Sequence, residues 1–133
     1  MVEIAQRNVE IARKAYNAFE SGDVEAVMSS FAEDIVWHVP GKSPIAGDYR
    51  GKQSVMELFG KYMGMYDSQE TELHDVLAND QHTVAMLSVT LKKGGRTLSM
   101  KATDVIHPDS EGRVKEFWRF QEDQGVLDEF LNS

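Results

Sequence analysis

The sequence predicts an α+β domain in which a curved, antiparallel sheet wraps around a layer of three N-terminal helices. In the first half of the chain, three segments carry apolar residues at steps of three and four, as amphipathic helices do. From about residue 70 the apolar residues alternate with polar ones, which is typical of strands that bury one face. The predicted order is helix, helix, strand, helix and four antiparallel strands. The twist of such a sheet leaves a cavity at one end of its concave face.

Two helices separated by a sharp break begin the chain. The first covers residues 3–20, where one apolar stripe recurs. Gly22 can adopt the left-handed conformation that ends a helix. Asp23 can then cap the next helix by accepting backbone N–H bonds. The buried face of this second, short helix consists of Val24, Val27, Met28 and Phe31.

A strand, a long loop and a third helix follow. The strand is an alternating run over residues 34–39, which Pro40 ends. Residues 40–51 contain two prolines and three glycines and are predicted to be loop, and a structureless loop of this length is often functional. The third helix spans about residues 52–66. Its apolar positions are Val55, Leu58, Phe59, Tyr62, Met63 and Tyr66.

The second half of the chain reads as a meander. The strands are predicted at residues 70–78, 82–93, 96–107 and 113–122. Asn79-Asp80 and Gly94-Gly95 fit hairpin turns, the second because two glycines accept positive φ angles. A longer turn covers 108–112, and the tail from 124 to 131 forms a final helical turn.

Composition narrows the function classes. The 133 residues suit one domain, 1–133, and the net charge of −8 argues against nucleic-acid and anionic-membrane partners. There is no cysteine, so disulfide and thiolate chemistry are excluded. The first residues lack a signal-peptide pattern, and no apolar run reaches the length of a membrane span, which predicts a cytoplasmic protein.

The order of elements and several motifs resemble the nuclear transport factor 2-like superfamily, which has a cystatin-like fold. The general motifs are Phe19-Glu-Ser-Gly-Asp23, Phe31-Ala-Glu-Asp34 and Trp118-Arg-Phe120. Others resemble its SnoaL-like and ketosteroid-isomerase-related branch: Trp37-His-Val-Pro40-Gly41, Ser43-Pro-Ile-Ala-Gly47, Tyr49-Arg-Gly51 and Asp75-Val-Leu-Ala78. The resemblance covers nearly the whole chain. It implies a single SnoaL-like domain, cone-shaped, with a mostly apolar pocket and a dimer through the outer sheet face.

Asp104 is the candidate catalytic residue. It shares one face of its strand with Leu98, Met100, Ala102 and Ile106, so it is the one charged residue on an apolar face. Burial disfavours a charged carboxylate, and a neutral carboxyl group can donate a proton to a substrate oxygen. By resemblance, Asp104 occupies the position of the aspartic acid that ketosteroid isomerases keep protonated. The alternative is a structural carboxylate hydrogen-bonded inside the cone.

The rest of the isomerase constellation is missing. The resemblance places the family's general base just before a proline at the end of the first strand, where this chain has Val39 ahead of Pro40. The family's oxyanion tyrosine corresponds to Ala15, and the neighbouring Tyr16 is rotated by roughly 100° on the helix. Steroid isomerisation by the usual route is therefore not expected.

The orientation of the Arg119 side chain determines whether Asp104 can act as an acid. By resemblance, Phe117, Arg119 and Gln121 face the pocket. An inward arginine would pair with Asp104 or bind a substrate carboxylate, and pairing would keep Asp104 ionised. The alternative places Arg119 on a solvated strand edge.

The remaining candidates line the cavity or gate it, and each of them could instead be plain core. The predicted ligand-binding residues are Arg119, Trp37, Val39, Tyr16, Tyr49, Leu58, Met100 and Phe117, with Tyr49 at the pocket mouth. Together they predict a small, apolar organic ligand. The four histidines lack the spacing of a metal site, so neither a metal nor a cofactor is expected.

Three functions fit these observations. The first is an enzyme of the isomerase, cyclase or hydrolase type that uses acid–base chemistry through Asp104 on a small oxygenated molecule. The second is a non-catalytic binding module, and the third is a dimeric adaptor. An apolar outer face predicts a homodimer, because a monomer rarely exposes so large a patch. This face contains Val84, Met86, Val105, Trp118 and Phe120.

Overall fold

The computed structural model describes residues 2–133 and confirms the α+β class. The helices are α1 (Val2–Ser21), α2 (Val24–Ser29), α3 (Lys52–Met65) and α4 (Gln124–Asn132). The strands are β1 (Phe31–Val39), β2 (Gly47–Arg50), β3 (Ser68–Ala78), β4 (Thr83–Lys93), β5 (Arg96–Pro108) and β6 (Val114–Gln121). Within the described part of the chain, no helix is both long and apolar enough to cross a membrane.

All six strands form one mixed sheet in the order β2-β1-β6-β5-β4-β3. The last four strands form the predicted antiparallel meander, and β1 joins it by running parallel to β6. The sheet is therefore mostly, but not wholly, antiparallel. This parallel pairing brings the first strand beside the last, so that Trp37 lies opposite Phe117.

The break between the first two helices is as predicted. Gly22 has a φ of 77°, and the Asp23 carboxylate accepts a hydrogen bond from the Ala26 backbone N–H at 3.1 Å. Because Asp23 caps α2 directly after Gly22, α2 begins three residues after the end of α1. The chain then enters β1 at Phe31.

The prediction that residues 40–51 are entirely loop is wrong, because Gly47–Arg50 form the edge strand β2. This segment pairs with β1 from Val36 opposite Arg50 to Val39 opposite Gly47. Glycine and aspartate give it little intrinsic strand propensity. Its conformation depends on the hydrogen bonds that β1 offers.

The core lies between the concave face of the sheet and the helices. One cluster joins α2 and α3 to β1, β5 and β6. A second joins α4 to β4 and β5 through Leu127, Phe130 and Leu131, so the predicted final turn is a full helix that closes the end of the sheet. On the opposite, convex face, Met86 and Phe120 are exposed.

Candidate functional site

A cavity of about 160 Å³ lies inside the curved sheet, and its walls are mostly apolar. Helices α1 and α3 form one wall, strands β1, β4, β5 and β6 form the other, and α4 contributes at one end. Among the described residues that line it, Asp104 is the only carboxylate and Arg119 the only arginine or lysine. Asp104 and Arg119 therefore form the charged pair of the cavity wall.

Strand pairing brings Asp104 and Arg119 together. They are directly opposite each other in the β5–β6 ladder, with both side chains on the concave face. Arg119 Nε donates to Asp104 Oδ1 at 2.6 Å, and Arg119 Nη2 donates to Oδ2 at 2.9 Å. Such a two-point contact between guanidinium and carboxylate sets the orientation of both groups.

Tyr16 completes this group from the helical wall. Its hydroxyl donates to Asp104 Oδ2 in a short hydrogen bond. Asp104 is fully buried and accepts three hydrogen bonds from Tyr16 and Arg119. We call these three residues the Asp–Arg–Tyr cluster. The pairing of Asp104 with Arg119 is the arrangement anticipated for an arginine that points inward.

Burial and the neighbouring charges shift the pKa values of Tyr16 and Arg119. Burial raises the pKa of the Tyr16 phenol well above its usual value, and the negative charge of Asp104 raises it further. Burial opposes the charge on Arg119, but the neighbouring Asp104 carboxylate outweighs it and holds the arginine pKa above its ordinary value. Tyr16 is thus a protonated donor beside a permanent cation.

Aromatic side chains form the cavity wall next to the cluster. Trp37 and Phe117 stack with ring centroids 3.6 Å apart and planes 16° from parallel. Phe59 packs edge-on against Trp37 at 5.2 Å. A planar or aliphatic ligand would meet flat apolar surface here.

Tyr62 of α3 and Tyr66, which directly follows that helix, also line the cavity. Burial raises the pKa of Tyr62 to about 12 and also raises that of Tyr66. The Tyr66 hydroxyl donates to the side chain of Gln69, whose amide donates to Thr71 Oγ1 at 3.2 Å. The signal that could have identified these tyrosines was their spacing of four residues on the apolar face of the predicted third helix.

Most of the predicted site residues come together at this cavity. Those that line it are Tyr16, Trp37, Val39, Met100, Asp104, Phe117 and Arg119. Val39 and Ala15 also line it, at the two positions that the resemblance assigns to the base and the oxyanion tyrosine of an isomerase.

Two predicted ligand-binding residues lie elsewhere. Leu58 is fully buried in the protein core beside Val55 and does not line the cavity. Tyr49 is on the edge strand β2, where its hydroxyl donates to the Ile45 carbonyl at 2.7 Å and its ring packs against the core. Tyr49 therefore holds the preceding loop, and the cavity wall does not include it.

A second cluster of polar side chains is centred on His38, next to Trp118 of the convex face. His38 Nδ1 is 2.7 Å from Asp48 and Nε2 is 2.6 Å from Glu116, while the ring stacks on Trp118. Burial lowers the pKa of His38, but hydrogen bonds to the two carboxylates raise it above its ordinary value overall. In residues 2–133, no group of three or more histidine, aspartate or glutamate side chains has the arrangement of a metal site.

Comparison with known proteins agrees with this architecture. The model of the SnoaL-like domain matches residues 12–117. The solved structure of Bal32a, from a soil-derived mobile gene cassette, is 32% identical, covers 96% of this chain and 98% of its own, and superposes with a TM-score of 0.89. A Xanthomonas campestris protein of unknown function with a cystatin-like fold is 25% identical, with coverage of 95% and 98% and a TM-score of 0.86.

Among curated proteins, an uncharacterised Mycobacterium tuberculosis protein is 27% identical over 125 residues, which is 92% of this chain and 95% of that protein. Two more distant structures have names that suggest activities. One is an LEH-like epoxide hydrolase of M. tuberculosis, which is 17% identical, with coverage of 95% of this chain and 88% of its own and a TM-score of 0.71. The other is a putative polyketide cyclase of X. campestris, which is 18% identical, with coverage of 96% and 98% and a TM-score of 0.74. At such identities the likeness shows the fold alone.

Proposed function

The chain belongs to the SnoaL-like family, with the nuclear transport factor 2-like, cystatin-like fold, and on that premise we propose that its cavity binds a small, largely apolar organic molecule through one oxygen. The oxygen belongs to a carboxylate, a carbonyl or an enolate, and it accepts hydrogen bonds from Arg119. The apolar body of the ligand packs against Trp37, Phe117 and Met100.

The observation that supports this proposal is the unused donor capacity of Arg119. A guanidinium has five N–H donors. Only Nε and Nη2 donate to Asp104, and among the described residues Nη1 has no protein acceptor. Arg119 lines the cavity, and 24% of its side-chain surface stays accessible. A cation held in place at the wall of an apolar cavity is suited to an oxygen anion or dipole.

Catalysis on such a ligand would use Asp104, whose Oδ2 accepts from Tyr16. A substrate that displaces the Tyr16 hydroxyl reaches this oxygen, and the carboxylate then acts as a base while Arg119 stabilises negative charge on the substrate. This is acid–base chemistry of the isomerase, cyclase or hydrolase type. It needs no cofactor.

A specific observation favours the second candidate, a non-catalytic binding module. Asp104 is fully buried and already accepts three hydrogen bonds, so a bound ligand that leaves Tyr16 in place meets no free base. Mass spectrometry of a ligand recovered after long incubation separates the two candidates. An unchanged ligand indicates binding only, and a product indicates an enzyme.

Substitution of Arg119 tests the binding proposal. We expect Arg119→Gln to weaken the binding of benzoate about 10- to 100-fold, because a charge-assisted hydrogen bond is lost. The neutral analogue benzamide should lose much less affinity. Isothermal titration calorimetry measures both.

Two further variants make this result interpretable. Arg119→Lys keeps the positive charge opposite Asp104 and removes the two-point geometry, so it tests binding if Arg119→Gln fails to fold. Arg113→Gln removes an exposed arginine that pairs with Asp109 and should leave benzoate affinity unchanged. Wild-type affinity for benzoate in folded Arg119 variants contradicts the proposal.

We further propose that two copies of the chain associate through the convex face. Met86 and Phe120 are exposed there, and the half-buried Trp118 lies beside them. A second copy would cover this apolar surface with the same surface of its own, as a two-fold interface does.

Sedimentation tests the association. At micromolar concentration the wild-type protein should have twice the mass of one chain, and Phe120→Asp should have the mass of one. Val126→Asp, at an exposed position on α4, should remain dimeric. A wild-type monomer would refute the proposal.

A further inference from the structure

An apolar groove on the surface adjoins the cavity. It lies where the α1–α2 break faces α3, and its volume is about 240 Å³. Six residues line both the groove and the cavity, namely Phe19, Val27, Phe59, Tyr62, Tyr66 and Gln69. These six side chains border both spaces, so the groove and the cavity are neighbours.

The rim of the groove leaves apolar side chains in solvent. Met63 is 82% exposed, Val24 57% and Phe19 43%, so the prediction that Val24 is buried is wrong. These three residues come from α3, α2 and α1, so the exposed apolar surface surrounds one opening. Scattered apolar residues are normal on a protein surface, but a cluster around a groove marks a binding surface.

The shared tyrosines connect this opening to the charged cluster. The positive charge of Arg119 acts on both Tyr62 and Tyr66, lowering their pKa values against the larger effect of burial. Both tyrosines also line the groove. Two aromatic side chains of the groove therefore also line the cavity that contains Arg119.

We propose that the groove binds the apolar tail of the same ligand whose oxygen binds to Arg119. The ligand is then an amphiphile, with a carboxylate or carbonyl head in the cavity and an alkyl chain that passes Tyr62 and leaves between Phe19 and Met63. This inference rests on the proposed function, because it takes the position of the head group from Arg119. It adds the entry route and the chemical class of the tail.

A series of straight-chain carboxylates, from butanoate to dodecanoate, tests the inference by calorimetry below their micellar concentrations. Each methylene buried in the groove should raise the affinity about fourfold, since its transfer from water is favourable. Val24→Asp should weaken dodecanoate binding at least tenfold and leave butanoate binding unchanged. Val24 is the first residue of α2, where a carboxylate is favourable to the helix, so this variant should fold.

Controls separate the groove from general surface hydrophobicity. Met63→Asp should act like Val24→Asp. Met56→Asp changes another exposed methionine of α3, which lines neither the groove nor the cavity, and should leave the whole series unchanged.

The outcomes also separate this inference from the proposed function. If butanoate binds and depends on Arg119, but longer chains gain nothing or Val24→Asp has no effect, the groove inference is wrong and the head-group site stands. If Arg119→Gln weakens no carboxylate of the series, the proposed function itself fails. Equal losses with Met56→Asp and Met63→Asp would show adsorption to the surface and overturn the inference.

Discussion

Asp104→Asn is expected to lower the free energy of unfolding by about 3 to 5 kcal/mol, because it removes the counter-charge of a largely buried arginine. The loss should lie near the lower end of that range. Part of Arg119 stays accessible in the cavity, and asparagine retains one acceptor oxygen. For a domain with about 5 to 15 kcal/mol of total stability, this is a large fraction. Urea denaturation followed by circular dichroism measures it.

A double variant shows whether the cost comes from the unpaired charge. Asp104→Leu combined with Arg119→Met replaces the ion pair with apolar groups of similar size and should recover most of the lost stability. Asp34→Asn, at an exposed position in β1, should change stability by less than about 0.5 kcal/mol. A fully stable Asp104→Asn, or a double variant as unstable as the single one, would contradict this account.

Leu58→Ala is expected to cost about 2 to 5 kcal/mol of stability, because it opens a cavity in the closely packed core. Leu58 is fully buried in α3, and the same helix carries Val55 in the core. Thermal and urea denaturation measure the loss. The structure gives this side chain a packing role, so the affinity for benzoate should not change in the folded variant.

The matched control is on the same helix. Met56→Ala removes an exposed side chain two residues away and should leave stability within about 0.5 kcal/mol of wild type. If Leu58→Ala instead weakens benzoate binding and leaves stability unchanged, then Leu58 contacts the ligand and its assignment to the core is wrong.

Local signals in the sequence were sufficient for most of the fold. A glycine followed by an aspartate predicted the break at residues 22 and 23, since both act through their own backbone and nearest neighbours. Alternation predicted the four strands of the meander. The edge strand β2 could not be found in this way, because its conformation depends on pairing with β1.

The candidate site was only partly accessible to the same reasoning. Alternation placed Asp104 on the apolar face of β5, and the resemblance added Arg119 on the inner face of β6. Whether they meet depends on the register of two strands, which puts them opposite each other. The contact with Tyr16 depends on how α1 lies across the sheet, and residues 16 and 104 are 88 positions apart.

By itself, the sequence determined the class of fold, the family and an acidic residue on an apolar strand face. The fold class and the position of that residue follow from periodicity and capping, which act over a few residues, and the family follows from the resemblance of its motifs. Only the tertiary structure decided that Asp104 is paired with Arg119 and Tyr16, that Leu58 is core, and that a groove adjoins the cavity. The physical reason is that charge state and accessibility depend on the groups that packing brings within hydrogen-bonding distance, however far apart they lie in the chain.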